Sequence, residues 1–296
     1  MNTKKSKAFV VGASGYIGSQ LLDKSSNFFS SFGTTSSINS MGLLYLKIND
    51  PLGFDYEKIS SDDTIFLAAA ISSPDICEHK SEYAWSVNVS GTIRFISKVI
   101  ERGARVIFFS SDTVYGERQC IFNETASINP SGGYAQMKAE VENQFQDEPL
   151  FKAIRLSYVF SRDDKFTKYL TGCHQQGVVA EIFHPFYRSI IHRDDVVDGA
   201  IALARFWGDY PQRIINFGGP EVLSRVDFAQ QIKNGALANL LYEVIEPAPE
   251  FFKNRPRTIA MSSDYLPLLL GRPPHTLTDA VRVEFNEQSF KSKLDA

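Results

Sequence analysis

Along the first half of the chain, apolar residues fall into short runs separated by longer amphipathic stretches. Phe9–Val11, Leu43–Ile48, Thr64–Ala69, Val106–Ser110 and Ala153–Leu156 are rich in β-branched and aromatic residues and apolar on both faces, the pattern of buried strands. Phe28–Gly33 is a weaker candidate of the same kind. Between these runs, Tyr16–Ser25, Ser81–Arg102 and Gly133–Phe145 have helical spacing. Strand and helix in alternation predict a parallel sheet with helices on both faces, a doubly wound Rossmann-type α/β fold.

After Ser157 the alternation breaks. Arg162–Gln176 and Asp194–Trp207 predict helices, and Ile214–Phe217 one more strand. Ser224-Arg225-Val226-Asp227 and Thr276-Leu277-Thr278-Asp279 each place an acid three residues after a hydroxyl, a helix-start signature. There is no repeat and no low-complexity linker. The expected division is a Rossmann domain at 1–160, to which 188–218 returns, and a smaller mixed α/β substrate lobe made of 161–187 and 219–296.

The first predicted strand runs into Gly12-Ala13-Ser14-Gly15-Tyr16-Ile17-Gly18, and a helix follows. Glycine is needed where the backbone turns with positive φ and where a phosphate must come close. The helix start adds free N–H groups and partial positive charge. This turn, in this place, predicts a dinucleotide held by Gly12, Ser14, Gly15, Tyr16, Ile17 and Gly18. An NAD site usually adds a ribose-binding acid about twenty residues further on. Phe32-Gly33-Thr34-Thr35-Ser36-Ser37 contains none, while Thr34 and Ser36 offer hydroxyls. NADP is therefore expected, with NAD as the alternative. Asp62 and Asp63 lie beyond the third strand and read as a turn or helix end.

Tyr134 and Lys138 stand four apart in a predicted helix and share a face. A free phenol titrates near pH 10, and lowering it by about 3 units takes roughly 4 kcal/mol. One ammonium about 4 Å away at an effective dielectric near 20 supplies about that. The expectation is a phenol made acidic by Lys138, able to exchange a proton with a carbinol or carbonyl oxygen. The strand Val106–Ser110 leads into Ser110-Ser111-Asp112-Thr113-Val114-Tyr115-Gly116, which places a serine hydroxyl at the carboxyl edge of the sheet, where ligands bind. Asn88 can hold a water or a backbone carbonyl near the lysine.

Charge and composition narrow the class. Lys+Arg is 31 and Asp+Glu 34, a net charge of −3, which argues against a broad nucleic-acid surface. Cys77, Cys120 and Cys173 are odd in number and far apart, so no disulfide framework or zinc ribbon is built from them, and a reducing compartment fits. The basic start, with Lys4, Lys5 and Lys7, is followed by too short an apolar stretch for a signal peptide. No run approaches the ~20 apolar residues of a membrane span. A soluble, cytoplasmic protein is expected.

Together these residues carry a resemblance. Gly12-x-x-Gly15-x-x-Gly18, Leu67-Ala68-Ala69-Ala70, Asn88, Ser110-Ser111, Val114-Tyr115-Gly116 and Tyr134-x-x-x-Lys138 resemble the extended short-chain dehydrogenase/reductases. Arg155-Leu156-Ser157-Tyr158-Val159-Phe160 is similar to a stretch of the dTDP-4-dehydrorhamnose reductases. Arg188–Val196, Phe217-Gly218-Gly219-Pro220 and Arg255-Pro256-Arg257 resemble later signatures of the family. The resemblance implies a Ser111, Tyr134, Lys138 triad, with Ala68, Ala69, Ala70, Asn88 and Ser110 on the cofactor. It implies a nucleotide-diphosphate sugar as substrate, held by Ser111, Tyr158, Arg188 and Arg257, with Arg193 and Arg255 nearby, and a homodimer formed through Ser81–Arg102 and Gly133–Phe145. The dehydratases of the family have Asp-Glu after the triad hydroxyl; here Asp112-Thr113 follows, which speaks against that reaction. The leading reading is an NAD(P)H-dependent reductase of a nucleotide-linked 4-keto-6-deoxy sugar. A nucleotide-sugar epimerase with recycled NAD and a non-catalytic NADP-binding subunit are the alternatives. His174, His184 and His192 have no metal-ligand spacing, so no metal is expected. Asp194, Asp195 and Asp198 read as acids at a helix start.

Overall fold

The computed structural model describes residues 5–38 and 40–285. Lys4 and the last residues assigned to the lobe, 286–296, lie outside them. The first half forms β1 (Lys7–Val11), α1 (Gly18–Ser25), β2 (Ser30–Thr35), β3 (Leu44–Tyr45), β4 (Thr64–Leu67), α2 (Pro74–His79), α3 (Ser81–Trp85), α4 (Thr92–Glu101), β5 (Arg105–Ser111), β6 (Ile121–Phe122), α5 (Gly133–Gln144) and β7 (Phe151–Leu156). The second forms β8 (Val159–Phe160), α6 (Lys165–Gln176), β9 (Ala180–Phe183), β10 (Tyr187–Ser189), β11 (Ile191–His192), α7 (Arg193–Arg205), β12 (Ile214–Phe217), β13 (Val222–Ser224), α8 (Arg225–Gly235), β14 (Tyr242–Ile245), α9 (Pro249–Phe252), β15 (Thr258–Met261), α10 (Leu266–Leu270) and α11 (Leu277–Phe285).

Successive residues of a strand point to opposite faces, and here both faces are buried. In β1, Ala8 and Val10 join one core with Phe66, Ile107 and the apolar side of α7; Phe9 and Val11 join another with Ile65, Leu67 and the apolar side of α4. The result is a seven-stranded parallel sheet in the order β12-β7-β5-β4-β1-β2-β3, the expected doubly wound sheet. The order reverses at β1, and ligands of such sheets bind at the carboxyl ends of the strands beside that point. A third core, with Phe160, Phe166, Ile182, Phe228 and Ile232, holds α6, β9, α8 and α11 together as a lobe. A second sheet, β13-β10-β15-β6, joins the lobe to the strand that follows the Ser111 turn.

Three elements differ from expectation. The Phe28–Gly33 run pairs two residues later, as β2, because Gly33 is the position that fits under Leu22 and Leu43: a Cβ there would meet their side chains at 2.7 and 2.5 Å. Of Leu43–Ile48 only Leu44–Tyr45 pairs, at the sheet edge. Leu46 and Ile48 are apolar because they are buried in the core, and the chain already turns where Asp50 N–H donates to Lys47 O (2.9 Å). The long helix at 81–102 is interrupted by a π-turn at Ser86–Gly91. It brings Gly91 against the Ile48 carbonyl, which a Cβ would approach to 2.0 Å.

Candidate active site

Gly12, at the carboxyl end of β1, has φ +88°, and a Cβ there would lie 2.9 Å from the Ala69 backbone. A Cβ on Gly18 would lie 2.2 Å from the Gly12 carbonyl oxygen, so the third glycine lets α1 start directly behind the turn. No side chain caps α1; within its first turn Ser19 N–H donates to Gly15 O (3.0 Å) and Leu21 N–H to Ile17 O (3.0 Å), so the helix start is closed by backbone alone and its positive end faces the turn. Ser14 and Gly15 are exposed at this mouth. A cleft of about 410 Å³ runs from Gly12 and Ser14 past Thr34, Thr35 and Ser36, with Ala69, Ala70 and Ile71 on its opposite wall. This glycine cradle, uncapped helix and elongated cleft fit a dinucleotide.

The side chains of other residues expected on the cofactor have partners within the protein. Ile17 and Ala68 pack against the core. The Tyr16 hydroxyl donates to Ser161 Oγ (2.8 Å), and Arg193 lies 5.0 Å over its ring. Asn88, in the π-turn, donates through Nδ2 to Ile71 O (2.9 Å) and accepts from Ile71 N–H (2.8 Å), so it pins the cleft wall. Ser110 is buried and donates to Glu142 Oε1 at 2.5 Å; its hydroxyl belongs to the core and not to the cleft. Lys47, which sequence reasoning missed, lines the same cleft near Thr34 and Asn49, and among the described residues no carboxylate does. Its signal was a charge interrupting the apolar run Leu43–Ile48.

β5 ends in Ser111, whose side chain caps the turn Asp112–Tyr115: its Oγ accepts from Thr113 N–H (3.3 Å) and Thr113 Oγ1 (3.0 Å), and donates to Asp112 Oδ1 (3.3 Å). α5 brings up Tyr134 and, one turn on, Lys138. The Lys138 Nζ lies 5.8 Å from the Tyr134 ring centre but donates to Phe109 O at 2.6 Å and rests 4.4 Å from the Phe108 ring centre. Here the expected acidified phenol is corrected. Burial pushes the Tyr134 phenol well above its ordinary value, and Cys77 and Asp112 add to the shift. Burial also pulls the Lys138 ammonium down to about 7, against the opposing pull of Glu142 and Cys77. In the cofactor-free chain a cation lowered in this way, and donating to a carbonyl, gives a phenolate little support.

The arginines separate clearly. Arg188 is buried: its donors go to Tyr187 O (2.6 Å), Pro256 O (2.8 Å) and Arg257 O (3.4 Å), and its Nε is 3.6 Å from Asp112 Oδ2. Burial raises the Asp112 carboxyl, with Arg188 and Ser157 opposing. Arg255 pairs with Asp75 (2.7 Å), Arg193 is 4.0 Å from Asp163, and Arg257 is exposed against the Phe252 ring. Tyr158 turns its hydroxyl to Asp164 Oδ1 (2.7 Å) and lends its ring to a cleft of about 470 Å³ lined also by Lys165, Phe166, Tyr169 and Arg225.

His174 and His184 do not join His192. His192 instead comes together with Asp195 and His275. Within this group Asp195 accepts from Arg272 (2.6 Å) and from the His275 backbone N–H (2.7 Å) and lies 2.9 Å from the His275 ring, while His192 Nε2 is 2.9 Å from Glu284. It clasps α11 and the preceding loop to the start of α7.

Residues 6–287 match the family model described as RmlD substrate binding domain. A dTDP-4-dehydrorhamnose reductase from Aggregatibacter actinomycetemcomitans is 27% identical over 233 residues, 75% of this chain and 74% of that protein. The solved structure of a hypothetical dTDP-4-dehydrorhamnose reductase from Sulfolobus tokodaii superposes with a TM-score of 0.81 at 22% identity, covering 93% of this chain and 98% of that one. A mutant UDP-glucuronic acid 4-epimerase from Bacillus cereus, solved with a fluorinated UDP-glucuronic acid and NAD, gives 0.79 at 20% identity over 96% and 99%. The glycine turn, the Ser111 cap and the Tyr134–Lys138 face lie inside the matched segment, and the chain belongs to the RmlD substrate binding domain family.

Proposed function

We propose that the chain is an NADPH-dependent reductase of a nucleotide-linked 4-keto-6-deoxy sugar, acting in deoxysugar synthesis. The observation that carries this reading is the Tyr134–Lys138 face of α5 standing beside the Ser111 turn, at the same sheet edge as the glycine turn. Reduction of a ketone needs a proton donor, and a phenol held neutral by burial is one. The bound nicotinamide supplies the hydride. Tyr134 gives its proton to the carbonyl oxygen, Ser111 orients that oxygen, and Lys138, titrating near 7, replenishes the phenol and holds the nicotinamide ribose. Gly12, Ser14, Gly15 and the start of α1 hold the pyrophosphate. Thr34, Ser36 and Lys47, with no carboxylate beside them, suit a 2′-phosphate and favour NADP over NAD.

The epimerase reading calls for a permanently held NAD, and the cleft shows no acid for its ribose among the described residues, which favours the reductase. No described helix is long and apolar enough to cross a membrane. A homodimer through α4 and α5 is part of the proposal; Tyr83 and Trp85, just before α4, are 55% and 42% exposed. The test is incubation with NADPH or NADH and dTDP-, CDP-, GDP- and UDP-linked 4-keto sugars. The expected result is loss of absorbance at 340 nm with a 4-hydroxy sugar by NMR. Isomerised sugar with no net NADPH oxidation would give the assignment to the epimerase instead.

A further inference from the structure

Arg225 differs from the other arginines of the lobe. It opens α8, and Ser224 and Asp227 close the capping box around it without touching its side chain. Its guanidinium stacks between two rings, 5.0 Å from the centre of Phe166 and 4.6 Å from that of Phe186. Its Nε is buried with no hydrogen-bond partner, and no ion pair reaches the side chain among the described residues. The nearby acid Asp164 is committed elsewhere: it accepts from Tyr158, from the N–H groups of Phe166 and Thr167, and from the Thr167 hydroxyl. Glu181 lines the same cleft but is exposed.

Arg225 is half-buried, and a partly desolvated guanidinium with a buried, unpartnered Nε is held at a cost. The cost is compounded because Phe186 carries a second guanidinium, Arg188, 4.3 Å from its centre. The two cations share one ring, and one buried carboxylate, Asp112, stands against Arg188. Burial and the neighbouring Arg255 pull the Arg225 guanidinium down. Arg225 borders both the 470 Å³ cleft and the small gap leading to Arg188, which touches Asp112 next to Ser111. An anion bound over Phe186 would stand between the reacting end of the cleft and its aromatic end.

We propose that Arg225 binds the diphosphate of the nucleotide sugar. This rests on the nucleotide-sugar reading above. Planar guanidinium donors match phosphate oxygens, and the two phenylalanines hold the fork in place before the ligand arrives. Arg188, committed to Asp112 and three carbonyls, shapes the pocket wall and supplies field but no free donor pair.

The test is calorimetric titration of the full chain, saturated with NADPH, with dTDP, UDP, CDP, GDP and inorganic pyrophosphate. Arg225→Met keeps the stem between the rings and removes the charge. The expected result is a Kd at least tenfold weaker for the preferred nucleotide, with partial recovery in Arg225→Lys and an unchanged thermal midpoint and NADPH affinity. Native-like nucleotide binding by the Met variant overturns the inference, as does a native chain that reduces a keto sugar yet binds none of these probes. If every 4-keto sugar is refused while dTDP binding still depends on Arg225, the reductase reading fails and this inference stands.

Discussion

Two arginines, Arg155 buried under the sheet and Arg225 half-buried in the lobe, show how differently the halves of this molecule use charge. Arg155, on β7, meets Glu142 of α5 with Nε at 3.1 Å and Nη2 at 2.6 Å from Oε2, and Ser110 also donates to the same carboxylate. Its Cζ also rests 4.7 Å from the Tyr115 ring centre. Arg225 has the rings but not the carboxylate. A charge that is answered within the protein fixes structure, and one left unanswered is free to answer a ligand. The sheet half therefore holds α5 still, one turn from Lys138, while the lobe leaves the Arg225 side chain without an ion pair among the described residues.

The contrast is broken most severely at Glu142. Glu142→Gln strands Arg155 in the core, and urea unfolding should show a loss of about 3–5 kcal/mol. Arg225→Met should cost far less; equal losses at the two positions would erase the distinction.

A smaller effect comes from Lys138. Its ordinary value is 10.5 and its folded value about 7, so between these the unfolded chain carries the extra proton. The penalty for burying the charge is fully present below pH 7 and is relieved as pH rises toward 10.5. Stability of the cofactor-free protein should therefore rise between pH 7 and 9, by about 2 kcal/mol relative to Lys138→Met. Parallel stability curves for the two proteins would show that Lys138 stays charged.

The smallest effect is expected at the mouth of the cofactor cleft. Lys47→Asp should lower the preference for NADPH over NADH in kcat/KM by about tenfold, since an acid repels a 2′-phosphate and accepts from a free ribose hydroxyl. An unchanged ratio removes Lys47 from cofactor selection.

Much of the sheet half was legible in the chain. Parallel strands buried on both faces leave continuous apolar runs, and the glycine turn announces itself because α1 can only start there if Gly18 has no side chain. The edge was harder. Leu46 and Ile48 are apolar for burial and not for pairing, and that pattern hid both the shortness of β3 and the exposure of Lys47 between them. Long-range partners were not legible at all. Arg188 reads as a phosphate ligand until Asp112 is seen beside it, Ser110 as a cofactor contact until Glu142 is, and Arg225 as the first residue of a capped helix. The Tyr134–Lys138 spacing was legible, but the direction of the phenol's shift was not, because it depends on burial by the surrounding fold and on the charges of Cys77 and Asp112.

The central claim is that a neutral Tyr134 phenol delivers the proton in a ketone reduction, and Tyr134→Phe tests it most directly. With an accepted 4-keto sugar and NADPH, turnover should fall by at least about 10²-fold while NADPH binding by fluorescence titration stays within error of the native chain. Turnover equal to native would contradict the account and leave Tyr134 with no part in the chemistry.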